Sequence, residues 1–179
     1  NIINEFIIFA FFFLLLLSCA VVFVFTRSGG SWSQTAKISS PVDAADVQFG
    51  FDVALWAGVA LISAPGANTA YVYKLTSGAW QQLYALPQGG LALDVDLASA
   101  RATVLRKVNR AGVWATEVAV YERNAVQWHL MGVSAAMSDT AIAGSVATSD
   151  VGPWVVGVPA ALFNSYTCGV AYYRECIAP

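Results

Sequence analysis

Beyond residue 31 the apolar positions of this chain recur with a period of two in short runs, at 53–55, 59–62, 71–75, 103–105, 113–121 and 154–158. Clusters of Gly, Pro, Asn and Ser separate the runs, and no helical period persists for three turns. Side chains on a strand alternate between two faces, so the pattern predicts an all-β domain of short strands around a core. The start of the chain follows no such pattern. Residues 6–25 (FIIFAFFFLLLLSCAVVFVF) are twenty successive residues without a charge. At about 1.5 Å per helical residue such a run covers the roughly 30 Å of a bilayer's hydrocarbon core. The pattern therefore predicts one N-terminal transmembrane α-helix over 1–26, a flexible Gly/Ser joint over 27–31 and an all-β domain over 32–179. A secretory signal peptide would carry positive charge ahead of its apolar stretch, whereas here Glu5 precedes it with no Lys or Arg.

Internal repetition sharpens the β domain. Trp32, Trp80 and Trp128 are evenly spaced along the chain, and each opens a strand-like segment: WSQTAKI, WQQLYAL and WHLMGVS. Residues 49–55 (FGFDVAL) align with 91–97 (LALDVDL) and more loosely with 142–147, and 59–65 (VALISAP) is echoed by 154–159 (WVVGVP). Each unit closes on an aromatic strand, at 71–73, 118–121 and 170–173. A period of about 40–50 residues with about four strands suits a propeller blade, a twisted sheet that must stack on neighbours to bury both faces. Three four-stranded units follow, at about 32–79, 80–127 and 128–176.

The first unit carries Phe49-Gly50, then Val53-Ala54-Leu55, then Ala64-Pro65-Gly66, then Ala70-Tyr71-Val72-Tyr73, ahead of Trp80 in the next. In that order and spacing, residues 32–88 resemble an FG-GAP repeat of the integrin α-subunit propeller type. The other two units depart from it: Phe-Gly becomes Leu91-Ala92 and Ile142-Ala143, and Ala-Pro-Gly survives only as Val158-Pro159-Ala160. By their own chemistry Gly50 suits crowded or bent backbone, Pro65-Gly66 supplies a turn, and the aromatic strand fills the gap between sheets. Members of the family often hold calcium in a loop rich in Asp and Asn. Here Asp43 with Asp46, and Asp94 with Asp96, are only pairs, whereas calcium takes six to eight oxygens. No metal or other cofactor is expected. Propellers close with about four to eight blades, so three units leave open apolar ends for another protein to cover.

Composition narrows the function. Charged residues make up 11% of the chain, against a usual share of about 25%. All nine basic residues and ten of the eleven acids lie after residue 26, for a formal charge of 9 − 10 = −1, which gives no electrostatic footprint for nucleic acid. His129 is the single histidine, leaving a zinc site or a nucleophile–histidine relay without companions. Asp94 and Asp96 share one strand face, as acid–base pairs can, but the aligned Asp52 and Ser145 make a role in the repeat the better expectation. Arg101, Arg106, Lys107 and Arg110 form a candidate basic contact patch beside a hairpin turn at 109–112, suited to anionic lipid or an acidic partner, or to simple solvation of a hairpin tip. Cys168 and Cys176 are either a disulfide or two free thiols. Paired, they would put the domain on the lumenal or extracellular side, whereas Arg27 and Lys37 under the positive-inside rule would put it in the cytoplasm. No Asn-x-Ser/Thr sequon is present.

The leading functional expectation is a non-enzymatic scaffold or accessory subunit of a membrane complex, single-pass, contacting other protein subunits and lipid. An adhesion or receptor ectodomain is the alternative that the FG-GAP resemblance implies. A third is a filament subunit, since an apolar N-terminal helix with Glu5 ahead of a β domain resembles the type IV pilin arrangement.

Overall fold

A computed structural model describes residues 6–11, 21–44, 46–124, 127–134, 145–149, 154–163 and 166–174, with side chains described for 21–44, 46–124, 127–134 and 145–149. These residues form four antiparallel meanders. The first holds β1 (Phe6–Phe11), β2 (Val21–Ser28) and β3 (Ser31–Ser39); the second holds β4 (Val53–Trp56), β5 (Val59–Ala64), β6 (Thr69–Thr76) and β7 (Ala79–Pro87). The third holds β8 (Leu91–Ala98), β9 (Arg101–Arg110), β10 (Val113–Arg123) and β11 (Trp128–Val133), and the fourth holds β12 (Ser145–Ala147), β13 (Trp154–Phe163) and β14 (Tyr166–Arg174). The all-β expectation therefore holds for the described residues.

Four hairpins turn on two residues that both take positive φ. Gly29 and Gly30 (φ 57° and 86°), Ala57 and Gly58 (44° and 74°), Ser77 and Gly78 (52° and 83°), and Ala111 and Gly112 (53° and 88°) all occupy the left-handed region. Positive φ at both central residues defines the type I′ turn, whose twist matches the strands it joins.

The sheets stack in chain order: β1 against β4, β4 and β5 against β8, and β8 against β12. Side chains on β5 are buried at every position, because its two faces serve two cores. Ala60, Ile62 and Ala64 join Val22, Val24, Ile38, Val47, Phe49, Tyr71 and Tyr73 between the first and second sheets. Val59 and Leu61 join Ala70, Val72, Leu86, Val95, Leu97, Val104, Ala119, Tyr121 and Trp128 between the second and third. Leu61 and Ile62 are fully buried, and removing a side chain of that size from water contributes about 1.5–3 kcal/mol.

Three expectations change. Where a membrane helix over 1–26 was expected, Phe6–Phe11 and Val21–Ser28 are paired strands, Phe9 opposite Phe23 in the ladder. Val22 and Val24 lie in the core against the second sheet, and the β-branched Val21-Val22-Phe23-Val24-Phe25 run suits a pleated surface better than a helix. Residues 12–20 lie outside the described residues. No helix among the described residues is long and apolar enough to cross a membrane, which says nothing of crossing by strands. The flexible joint is also replaced, since Arg27 and Ser28 end β2, Ser31 begins β3, and the two glycines between them are the hairpin turn.

The third change is one of phase. Trp32, Trp80 and Trp128 sit on β3, β7 and β11, the last strand of the first, second and third sheets. Each Trp-led unit thus contributes the outer strand of one sheet and then opens the next, and β1 and β2, ahead of the first unit, supply the rest of the first sheet. The ladder repeats the interval of the tryptophans: register shifts interrupt the last pairing of the first three sheets at Val24/Phe25, Val72/Tyr73 and Val120/Tyr121.

Candidate functional site

The motif residues of the first unit converge on one spot. The Phe49 ring lies 5.8 Å from Tyr71, tilted by 56°, and 6.1 Å from Tyr73, edge to face at 73°, the arrangements that the charge distribution of aromatic rings favours. Gly50 donates its N–H to the Ser63 carbonyl at 2.9 Å, and Gly66 donates to the Val47 carbonyl at 3.1 Å. A Cβ on Gly66 would fall 1.6 Å from the Asp46 carbonyl oxygen, so only glycine lets the 46–52 loop close over the turn that Pro65 begins. Burial raises the Tyr71 phenol's pKa, and burial together with Tyr71 beside it pushes Tyr73 to about 12. Both therefore pack as neutral rings.

A second feature is a row of carboxylates along the first strands. Asp52 Oδ2 accepts from the Val95 N–H at 2.7 Å, and Asp94 Oδ2 accepts from the Val146 N–H at 2.6 Å and from the Ser145 hydroxyl at 3.3 Å. Asp96 Oδ2 accepts from the Thr148 N–H at 2.5 Å. Partners advancing from Val146 to Thr148 as the acids advance from Asp94 to Asp96 make β8 and β12 parallel neighbours. Asp52, Asp94 and Ser145 are the aligned positions of the repeat, and the acids staple the second sheet to the backbone of the third and the third to that of the fourth. Burial, helped by the neighbouring Asp52, raises the Asp94 carboxyl to about 6 against the lowering effect of the Val146 bond. A carboxylate pair with one raised member can serve acid–base chemistry, but here both carboxylates are engaged by amide N–H groups.

The four basic residues of the predicted patch all lie on β9. Arg106 turns inward to Glu117 at 2.9 Å, and Arg110 reaches the same carboxylate at 2.6 Å from a side chain that stays 65% exposed. Glu117 has only 2% of its side chain exposed and Arg106 only 12%, so their contact is buried, one Arg106 N–H donating to Oε2, while Arg110 Nε and Nη2 both donate to Oε1. Arg106 also donates to the Gln88 carbonyl at 2.6 Å, and the buried Gln88 amide donates to the Leu86 carbonyl at 2.7 Å and the Tyr121 hydroxyl at 3.0 Å. Burial raises the Tyr121 phenol, opposed by its bond to Gln88. Lys107 lies over the Trp114 ring at 5.6 Å, and Arg101 donates to the Ser149 carbonyl at 3.5 Å. The sequence brought these cations together; the fold pairs Arg106 and Arg110 with the same carboxylate, Glu117, and gives Lys107 and Arg101 other partners.

The outer strands differ among themselves. Trp32 is 41% exposed and Trp80 half-buried, while Trp128 is buried under the Arg123 guanidinium, which lies 6.0 Å from its ring. After the tryptophan, β3 continues with exposed Ser33, Gln34 and Thr35, and β7 with exposed Gln81, Gln82 and Leu83, the last 44% exposed. On β11 the corresponding stretch is His129, Leu130, Met131, Gly132 and Val133, exposed throughout. Leu130 is 51% and Met131 62% exposed. Two adjacent exposed apolar residues on a sheet edge were missed from the sequence, where WHLMGVS aligns with WSQTAKI and WQQLYAL and looks interchangeable with them. Cys168 lies on β14, opposite Ala161, and Cys176 lies outside the described residues, so their pairing does too.

Neither protein-family models nor curated proteins give a match to this chain.

Proposed function

We propose that this chain is a non-enzymatic docking module, built of FG-GAP-like repeats stacked as propeller blades, that acts by protein–protein contact. The observation that carries it is the exposed apolar outer strand β11, with Leu130, Met131 and Val133 all facing solvent. A strand edge without charge is a template for another polypeptide strand, and folded proteins usually blunt such edges. Supporting it, the polar groups that could have built a reaction site hold the sheets together instead: Asp52, Asp94 and Asp96 bind amides, and Arg106 and Arg110 bind Glu117. The proposal does not depend on the compartment or membrane in which the chain resides.

Affinity purification under native conditions tests it, comparing the wild type with a Leu130→Lys/Met131→Lys variant. The wild type is expected to elute with a polypeptide partner in fixed stoichiometry that the double variant loses. Equal elution profiles for the two would remove the reading.

A further inference from the structure

The two seams flanking the second sheet are built from equivalent residues. Ala70, Val72 and Leu86, in the seam with the third sheet, stand one tryptophan interval after Val22, Val24 and Ile38, in the seam with the first; across the seams, Tyr121 stands the same interval after Tyr73. Sheets stacked by one repeated step keep equivalent strands running the same way, as the parallel β8 and β12 do. The turn at Gly29 and Gly30 therefore lies at the same end of the stack as the turn at Ser77 and Gly78. The turn at Ala57 and Gly58 lies there too, since the Gly58 carbonyl accepts from the Leu75 N–H at 2.8 Å.

That end gathers tryptophan and positive charge. Arg27 and Lys74 are exposed on the strands that lead into the first and last of these turns. Exposed Trp32 stands opposite Arg27 in the ladder, exposed Trp56 precedes the middle turn, and half-buried Trp80 follows the last. The residues between them, at 28–31, 57–58 and 77–79, are only Ser, Gly, Ala and Val-free turn positions, and no Asp or Glu occurs in 27–32, 55–59 or 74–80. The acids of the first two sheets lie elsewhere: Asp43 and Asp46 in the loop at the opposite end, where the Gly66 N–H meets the Val47 carbonyl, and Asp52 in the seam with the third sheet.

We propose that this end of the first two sheets is a contact surface for anionic lipid headgroups at a membrane. Tryptophan settles at headgroup level, where its ring leaves water and its N–H stays hydrogen-bonded. Beside it, Arg27 and Lys74 meet the negative potential of the lipid surface with no neighbouring acid to offset them. A single-stranded nucleic acid would also stack on tryptophan, but it draws its affinity from a run of phosphates along a basic groove. Two cations spread over two sheets, in a chain of net charge −2, supply little of that. The surface shares no residue with β11, so it stands or falls apart from the docking function proposed above.

The test is cosedimentation of the purified full chain with vesicles, comparing phosphatidylcholine alone with phosphatidylcholine carrying about a third phosphatidylserine. The wild type is expected to partition more strongly onto the anionic vesicles. Arg27→Gln/Lys74→Gln should lower that partition about thirtyfold, at about fivefold for each charge near such a surface, and remove the preference. Lys37→Gln, which takes an exposed charge from the far end of β3, should leave it unchanged. Trp32→Ser/Trp56→Ser should weaken binding to both kinds of vesicle. Every variant keeps the apolar N-terminal segment, so whatever that segment contributes cancels in the comparison, and unchanged circular dichroism verifies folding. Equal partition of the wild type onto the two kinds of vesicle overturns the proposal, as does an Arg27→Gln/Lys74→Gln chain that binds anionic vesicles as the wild type does. Binding of a single-stranded oligonucleotide in the absence of vesicle binding would overturn it in favour of nucleic acid.

Discussion

The two faces of the second sheet are packed by different means. Toward the first sheet, Phe49, Tyr71 and Tyr73 make an aromatic plug among Val22, Val24, Ile62 and Ala64. Toward the third, the packing is aliphatic, from Val59, Leu61, Val72, Val95 and Val104. Polar groups cross or border that second seam: Asp52 bonds the Val95 amide, and the Gln88, Tyr121, Arg106 and Glu117 chain lies at its edge. An aromatic plug is sensitive to shape, whereas a buried polar chain is sensitive to the loss of any one partner, because a charge left alone out of water is costly. The same repeat thus yields one interface that tolerates volume change poorly and another that tolerates polar change poorly.

Glu117→Ala should produce the largest effect, about 3–5 kcal/mol of destabilisation, since it strands the buried Arg106 guanidinium; denaturant unfolding measures it. If Glu117→Ala costs no more than an exposed substitution, the polar seam is not holding the third sheet. On the other side, Gly66→Ala should cost about 1–3 kcal/mol, because its Cβ collides with the backbone at Asp46 and lifts the loop bearing Phe49. Phe49→Leu keeps most of the buried area but loses both ring contacts, a loss of about 1 kcal/mol, readable as a lower unfolding midpoint with the far-ultraviolet spectrum unchanged.

The smallest expected effect is a dependence on pH. With its carboxyl raised to about 6, folded Asp94 keeps a proton that the unfolded chain releases near the ordinary carboxylate value. The folded state then binds more protons between those two values, so this contribution to stability is full below the unfolded pKa and is lost as pH rises through about 6. Unfolding midpoints at pH 5 and pH 7.5 should therefore fall less for Asp94→Asn than for the wild type; identical slopes would show that the staple to Val146 does not titrate.

Much of this was legible in the chain. The spacing of the three tryptophans gave the repeat, and the Phe49, Gly66 and Tyr71 motif gave the aromatic seam. The cross-strand partners of the basic residues were within reach too. A two-residue turn at Ala111 and Gly112 sets Arg110 opposite Val113, and counting back equally along each strand sets Arg106 opposite Glu117. The N-terminal strands were obscured because both faces of a strand can be buried, which erases the alternation that marks it. The repeat still contained the answer: Val24-Phe25 stands one full period before Val72-Tyr73, and Gly29-Gly30 matches Ser77-Gly78 ahead of the next tryptophan. Exposure of Leu130 and Met131 had no such signal, because it depends on what the neighbouring sheets leave uncovered.

The half-step between sequence unit and sheet has a consequence for how such a chain can grow or shrink. Since each unit spans a joint, like a brick laid across the seam of the course beneath, excising or duplicating any one period of the chain leaves every sheet supplied with strands of the right kind. No cut made at a unit boundary, however, releases a fragment whose sheets are whole. Copy number is therefore free to drift by duplication, while the overlapping courses couple each sheet to its neighbours.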